Sequence, residues 1–173
     1  MNEVLNCLET RRSVRKYLSK QIADAELNAI LEAGIYAPTA MGRQSPKIVV
    51  LQKPEDVAEL ERMNAAVLGN PDSHPFYGAP TVLVVLADAK AGTAVEDGSL
   101  VLGNLMNAAH ALGVGSCWIH RAREEFASGE GKALLKRWGI EGDWVGVGHC
   151  ILGYAAEPAA PAKPRKADYI VRV

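Results

Sequence analysis

Stretches with apolar residues at helical spacing alternate along this chain with short, almost wholly apolar runs. Within Glu3 to Glu9, Val4, Leu5 and Leu8 have a helix-like spacing that runs into Arg11-Arg12-Ser13-Val14-Arg15-Lys16-Tyr17, so a helix ending in a cationic loop is expected. From Asp24 to Tyr36, Leu27, Ile30, Leu31 and Ile35 fall on one face, with Asp24 suited to the N-cap and Pro38 just past the end. Lys47 to Gln52 holds the β-branched run Ile48-Val49-Val50-Leu51 between Pro46 and Pro54, the pattern of a buried strand. Pro54-Glu55-Asp56 then opens a helix, because proline suits the first turn and acids suit the positive end of the helix dipole.

After a turn-rich loop from Gly69 to Pro75, Thr81 to Ala87 reads as a central strand. Thr93 to Leu112 is a long helix containing Gly98 and Gly103. Glycine in a helix costs about 1 kcal/mol relative to alanine, which points to another backbone packed close. Gly113-Val114-Gly115 ends this helix, Ser116 to Ile119 is a strand, Glu124 to Trp138 a helix, and Val145 to Tyr154 a last long strand. Ala155 to Pro164 is an extended Pro/Ala linker. The apolar end, Ala167 to Val173, has no obvious place in its own compact domain, and docking on a partner subunit explains it economically. One α/β or α+β domain over residues 1–173 is expected.

Composition narrows the chemistry. With 49% hydrophobic residues in 173, the chain has enough material to bury about 70% of its unfolded surface. Cys7, Cys117 and Cys150 lie far apart without a C-x-x-C pair, so neither a disulfide framework nor a zinc site is suggested, which fits a cytoplasmic protein. Met1 to Thr10 lacks the pattern of a secretory leader, and no run approaches the roughly 20 apolar residues of a membrane span. A net charge of −1 disfavours nucleic acid as a partner, so any anion site must be a local cluster of cations. His74, His110, His120 and His149 are not spaced as metal ligands.

Two such clusters exist. Arg11, Arg12, Ser13 and Arg15 place three guanidiniums and a hydroxyl within five residues, donors able to surround a phosphate; on charge alone a solvated turn is an equal reading. Lys163-Pro164-Arg165-Lys166 follows the linker, and two clusters in a near-neutral chain suggest one shared anion. The loop from Ala37 to Pro46 combines small, hydroxyl and amide residues that could lie against a flat heteroaromatic ligand. Gly113-x-Gly115 follows a helix and Gly146-x-Gly148 lies within a strand, so neither is a dinucleotide fingerprint. Walker A, G-x-S-x-G and H-E-x-x-H sequences are absent.

In order and spacing, Arg11 to Tyr17, Ala37-Pro38-Thr39-Ala40 with Gln44, Gly113 to Ile119, and Leu152-Gly153-Tyr154 before Pro164-Arg165-Lys166 resemble the nitroreductase family over nearly the whole chain. The resemblance implies an α+β three-layer sandwich with a mostly antiparallel central sheet flanked by helices. It also implies an intertwined homodimer with C-terminal tail exchange and FMN at the interface. Arg11, Arg12 and Ser13 would hold the flavin phosphate and ribityl chain, and Arg15 the pyrimidine edge. Pro38, Thr39 and Ala40 would cover the flavin from the partner subunit, and Asn64 would make a polar contact. Ile119, His120 and Arg121 would bring backbone amides to N5 and O4, with Arg165 and Lys166 as C-terminal phosphate ligands. Gly42 and Ser45-Pro46 depart from the asparagine and Pro-Trp common in relatives, and Arg121 replaces a small residue.

The activity so implied is ping-pong: NADH or NADPH gives hydride to flavin N5, and a nitroaromatic, quinone or similar small-molecule acceptor removes it. A cation about 4 Å from the reduced, anionic ring contributes roughly 4 kcal/mol gross at an effective dielectric near 20. Arg15 is therefore a candidate catalytic residue, and His120 a candidate proton donor. A reductase of activated alkenes and a non-catalytic flavin-storage protein are the alternatives.

Overall fold

The computed structural model describes residues 2–173. Its centre is an antiparallel sheet of β1 (Pro46–Leu51), β2 (Thr81–Asp88), β3 (Gly115–Ile119) and β4 (Trp144–Gly153), in the order β1-β2-β4-β3. β2 is central because its apolar run serves both faces. Leu83, Val85 and Ala87 pack with Leu27 and Ile30 of α2 (Asp24–Ile35) and Val101, Leu102 and Leu105 of α4 (Ala94–Ala111). On the other face, Val82, Val84 and Leu86 meet Leu60 and Met63 of α3 (Pro54–Leu68), Phe126 of α5 (Ala122–Ala127), and Leu134 and Leu135 of α6 (Gly129–Arg137). Two helical layers around one sheet give the α+β three-layer arrangement; α1 (Glu3–Thr10) buries none of its residues.

β4 carries one extra residue against β2. Val85 pairs with Gly148 and Leu86 with Gly146, leaving Val147 bulged. Both neighbours of this bulge need glycine. A Cβ on Gly98 would lie 2.5 Å from Val147, and one on Gly146 would lie 2.1 Å from the Ala122 carbonyl oxygen. The close approach at Gly98 is thus to a side chain of the same chain rather than to another backbone. Gly103 meets nothing within 4 Å.

Three boundaries differ from the sequence pattern. Ala23, not Asp24, is the N-cap of α2, with its N–H donating to Glu26 at 2.9 Å, which leaves Asp24 in the first turn to favour the dipole. The expected helix from Glu124 to Trp138 is two helices. Ser128 divides them, its Oγ donating to the Glu125 carbonyl at 2.6 Å and accepting from the Gly131 N–H at 3.0 Å, because a serine can cap a new helix as easily as continue an old one. Beyond an isolated bridge between Tyr17 and Ala155, the C-terminal segment forms no helix or strand, and Tyr169, Ile170 and Val171 are 79%, 77% and 77% exposed. No helix among the described residues is long and apolar enough to cross a membrane.

Candidate functional site

The first basic motif is fixed to one end of β3. The Val14 N–H donates to the Ser116 carbonyl at 2.9 Å, and Ser13 bridges Ser116 in parallel. The chain between α1 and this bridge, with the C-terminal segment, encloses a cleft of about 280 Å³ lined by Arg11, Arg12, Ser13, Arg15, Lys163 and Arg165. Both basic clusters therefore meet, although Lys166 is not part of the wall. Arg11 Nη1 and Ser116 Oγ are buried without a hydrogen-bond partner among the described residues. Such orphans are costly unless a ligand accepts from them. Arg12, although part of this wall, spends its Nη1 on the carbonyls of Glu9 at 2.8 Å and Arg11 at 2.7 Å, where it caps the end of α1. His110 Nε2 lies 2.9 Å from Thr10 Oγ1. Burial, then the charges of Arg11 and Arg12, hold this imidazole below its ordinary pKa.

At the other end of β3, about 13 Å from Ser116 at strand spacing, lies Ile119-His120-Arg121. All three carbonyls are engaged from within. His149 Nδ1 is 3.3 Å from the Ile119 oxygen, Asn64 Nδ2 donates to the His120 oxygen at 2.8 Å, and the Glu125 N–H donates to the Arg121 oxygen at 3.1 Å. Asn64 is fully buried, and its Oδ1 accepts from Arg121 Nε at 2.9 Å. That grip holds Arg121 at φ +81°, a left-handed conformation costing about 1–2 kcal/mol for a non-glycine residue. Each polar atom of the Asn64 amide thus makes one bond inside the chain, and together the two hold this segment in place. The amide N–H groups of His120 and Arg121 find no acceptor among the described residues, and the His120 side chain is exposed.

Pro38, Thr39 and Ala40 lie elsewhere. Their loop leads into β1, the sheet edge opposite β3, three strand spacings or about 14 Å across. Within one chain it does not reach the basic cleft. The loop is nonetheless built with care, because the buried Asp97 accepts from the Ala40 N–H at 3.0 Å, Ser45 Oγ at 2.9 Å and Thr93 Oγ1 at 3.2 Å. Burial raises the Asp97 pKa, but these three donors together hold it below the ordinary carboxylate value. Thr39 Oγ1 accepts from the Gln44 N–H at 3.0 Å, closing the turn.

Sequence reasoning missed Asp97, Glu125 and, as more than core, His149. An acid in the first turn of a helix signals only a helix start, and nothing in the pattern reveals that Asp97 reaches a loop 57 positions away. No group of three or more His, Cys, Asp or Glu among the described residues is placed to hold a metal.

Residues 8–76 and 70–154 match the model of the Nitroreductase family. The fold is similar to that of a nitroreductase with bound FMN from Bacteroides fragilis, with a TM-score of 0.91, 34% identity and coverage of 100% of both chains. A protein of Archaeoglobus fulgidus provisionally named NADH dehydrogenase/NAD(P)H nitroreductase is 33% identical over 89% of this chain and 86% of its own length. Another of that name from Methanothermobacter thermautotrophicus is 30% identical over 67% of this chain, a match spanning 60% of that longer relative.

Proposed function

The chain belongs to the nitroreductase family, and from that premise we propose that it is an FMN-dependent NAD(P)H oxidoreductase. The observation that carries this reading is the pair of buried, unpartnered donors, Arg11 Nη1 and Ser116 Oγ, at one end of β3, with the free amides of His120 and Arg121 at the other. The residues present fit FMN: an anion is called for at the first end, and a planar ring suits the amides of the second.

Arg11, Ser13, Arg165 and more distantly Arg12 and Lys166 hold the phosphate and ribityl chain. Arg15, exposed on the same cleft, sets its charge against the pyrimidine edge and favours the reduced ring. When bound, FMN would supply the redox chemistry of a ping-pong hydride exchange between NADH or NADPH and a nitroaromatic, quinone or similar acceptor. Ile119 and His120 present backbone to the ring, and the exposed His120 imidazole stands free to hand a proton to the acceptor.

The 14 Å separation across the sheet supports a second copy of the chain as part of the site. Pro38, Thr39 and Ala40 cannot cover their own cleft, so the working unit is an intertwined homodimer of one-domain subunits, residues 1–173 each, in which this loop covers the partner's flavin. Val4, Leu5 and Leu8 of α1 are 65%, 52% and 53% exposed, and the apolar tail is without a seat of its own. Both suit an interface closed by exchanged tails. Three free thiols suit the reducing cytoplasm.

Initial-rate kinetics with NADH or NADPH against a panel of nitroaromatics and quinones test the function, with sedimentation of the same samples. Parallel double-reciprocal lines from a dimer are expected. A fully active monomer would overturn the shared site, and no turnover with any acceptor would overturn the activity.

A further inference from the structure

Beneath the Ile119–Arg121 segment lies a pair that the proposed chemistry does not use. His149 Nε2 is 3.0 Å from Glu125 Oε2, and both side chains have no solvent exposure. The approach is off the line of a well-formed hydrogen bond, and neither carboxyl oxygen has another donor among the described residues. The Phe76 ring covers the imidazole, with centroids 5.4 Å apart. Burying such a pair is costly, and an apolar pair of similar volume would stabilise the fold as well or better. Its presence calls for a task other than stability.

We propose that Glu125 and His149 are positioning residues for the flavin-facing backbone, a buried pair that pins the Ile119 carbonyl and so aims the amides of His120 and Arg121. This rests on the FMN reading above. The geometry dictates where the proton sits. His149 Nδ1 faces a carbonyl oxygen, which can only accept, so Nδ1 carries a hydrogen. Nε2 is then left to the carboxyl group 3.0 Å away, off the line of a well-formed bond, so the buried acid holds the ring in place by close contact rather than by an ordinary hydrogen bond. Glu125 works at both ends, because its own N–H holds the Arg121 carbonyl while its side chain locks the imidazole that holds the Ile119 carbonyl. Contact of Gly146 with the Ala122 carbonyl fixes the start of α5 against β4, and so fixes the distance between the partners.

Two variants of the full chain separate positioning from simple packing. Glu125→Gln removes the acid but offers an amide donor to Nε2, which preserves the Nδ1–H tautomer. The double variant Glu125→Met/His149→Leu removes the pair and its strain together. Four readouts are compared with the unmodified protein: the melting temperature, FMN affinity, the NMR order parameters of the His120 and Arg121 backbone amides in flavin-free protein, and the rate and potential of anaerobic flavin reduction. The double variant is expected to melt at the same temperature or higher and to bind FMN. The order parameters of its two amides should fall, its potential should shift, and its reduction should slow by about tenfold to a hundredfold, the penalty typical of small misplacements. Glu125→Gln is expected to melt lower yet keep high order parameters and most of the rate. A double variant with unchanged order parameters and unchanged reduction would overturn the proposal. If the unmodified protein takes up no FMN while the order parameters change as expected, the clamp stands and the flavin reading falls.

Discussion

The two ends of β3 prepare for a ligand by opposite means. At Ser116 the preparation is in side chains: guanidiniums and Ser13 line a cleft, and Arg11 Nη1 and Ser116 Oγ are left without a partner among the described residues. At Ile119 it is in the backbone, where three successive carbonyls are tied inward by His149, Asn64 and Glu125. The first end supplies affinity, since each charge-assisted bond can be lost singly. In the proposed reading the second supplies geometry, through backbone amides, with the exposed His120 imidazole as its one side chain offered to the acceptor. Substitutions at the first end should therefore change binding, and those near the ring should change rate.

Arg11→Ala should break this division most visibly. Losing a hydrogen bond to a charged group costs about 1.5–3 kcal/mol, so FMN should bind about 10- to 100-fold more weakly by fluorescence titration, with the melting temperature of flavin-free protein nearly unchanged. Arg12→Ala sharpens the contrast within the motif: because Arg12 caps α1, it should lower the melting temperature and alter FMN affinity less than Arg11→Ala. Next comes Arg15→Ala, which should keep FMN yet slow turnover. Half of a gross interaction of about 4 kcal/mol corresponds to about 30-fold in rate, and unchanged steady-state kinetics would remove Arg15 from the mechanism.

Asp97→Asn tests the far edge of the sheet. The buried side chain loses its charge but keeps its shape, and about 1–2 kcal/mol of stability should go with the weakened bonds to Ala40, Ser45 and Thr93, read by chemical denaturation. Because the folded protein holds this carboxyl below its ordinary value, the unfolded chain binds the proton more readily. The stabilisation is then complete above the unfolded pKa of about 3.9 and is lost as pH falls below it. The variant should show a shallower loss of stability in acid than the unmodified chain. The smallest effect is at His110. In flavin-free protein its imidazole should titrate below the ordinary value, and FMN should raise that titration by offsetting Arg11 and Arg12, visible by NMR.

The same contrast separates what was legible in the sequence from what was not. Elements defined by long apolar periods, such as the helix at Leu27 to Ile35 and the strand at Thr81, could be read because burial on one or both faces leaves its mark on every position. The basic motif was legible for a similar reason: cations cluster locally, in adjacent residues. The break at Ser128 was not, because periodicity continues across it and only the hydroxyl's two hydrogen bonds mark the new start. Nor was the role of Glu125, His149 or Asp97. Their partners come from distant parts of the chain, brought together by the β3–β4 pairing, by α5 and by the packing of α4 against the β1 loop. Asn64 is legible as a candidate, but its bonds to the His120 carbonyl and the Arg121 guanidinium link residues 56 and 57 positions apart. The separation of the Pro38–Ala40 loop from the basic cleft depends on strand order, β1-β2-β4-β3, which no local pattern specifies.

The most direct test of a flavin laid along β3 is the visible spectrum of the purified protein after incubation with FMN and removal of the excess, recorded before and after anaerobic addition of NADH or NADPH. A stoichiometric flavin band that one of the two donors bleaches, and that an electron-poor acceptor restores, is the predicted result. A colourless protein, or a yellow one that neither donor bleaches, would contradict the account.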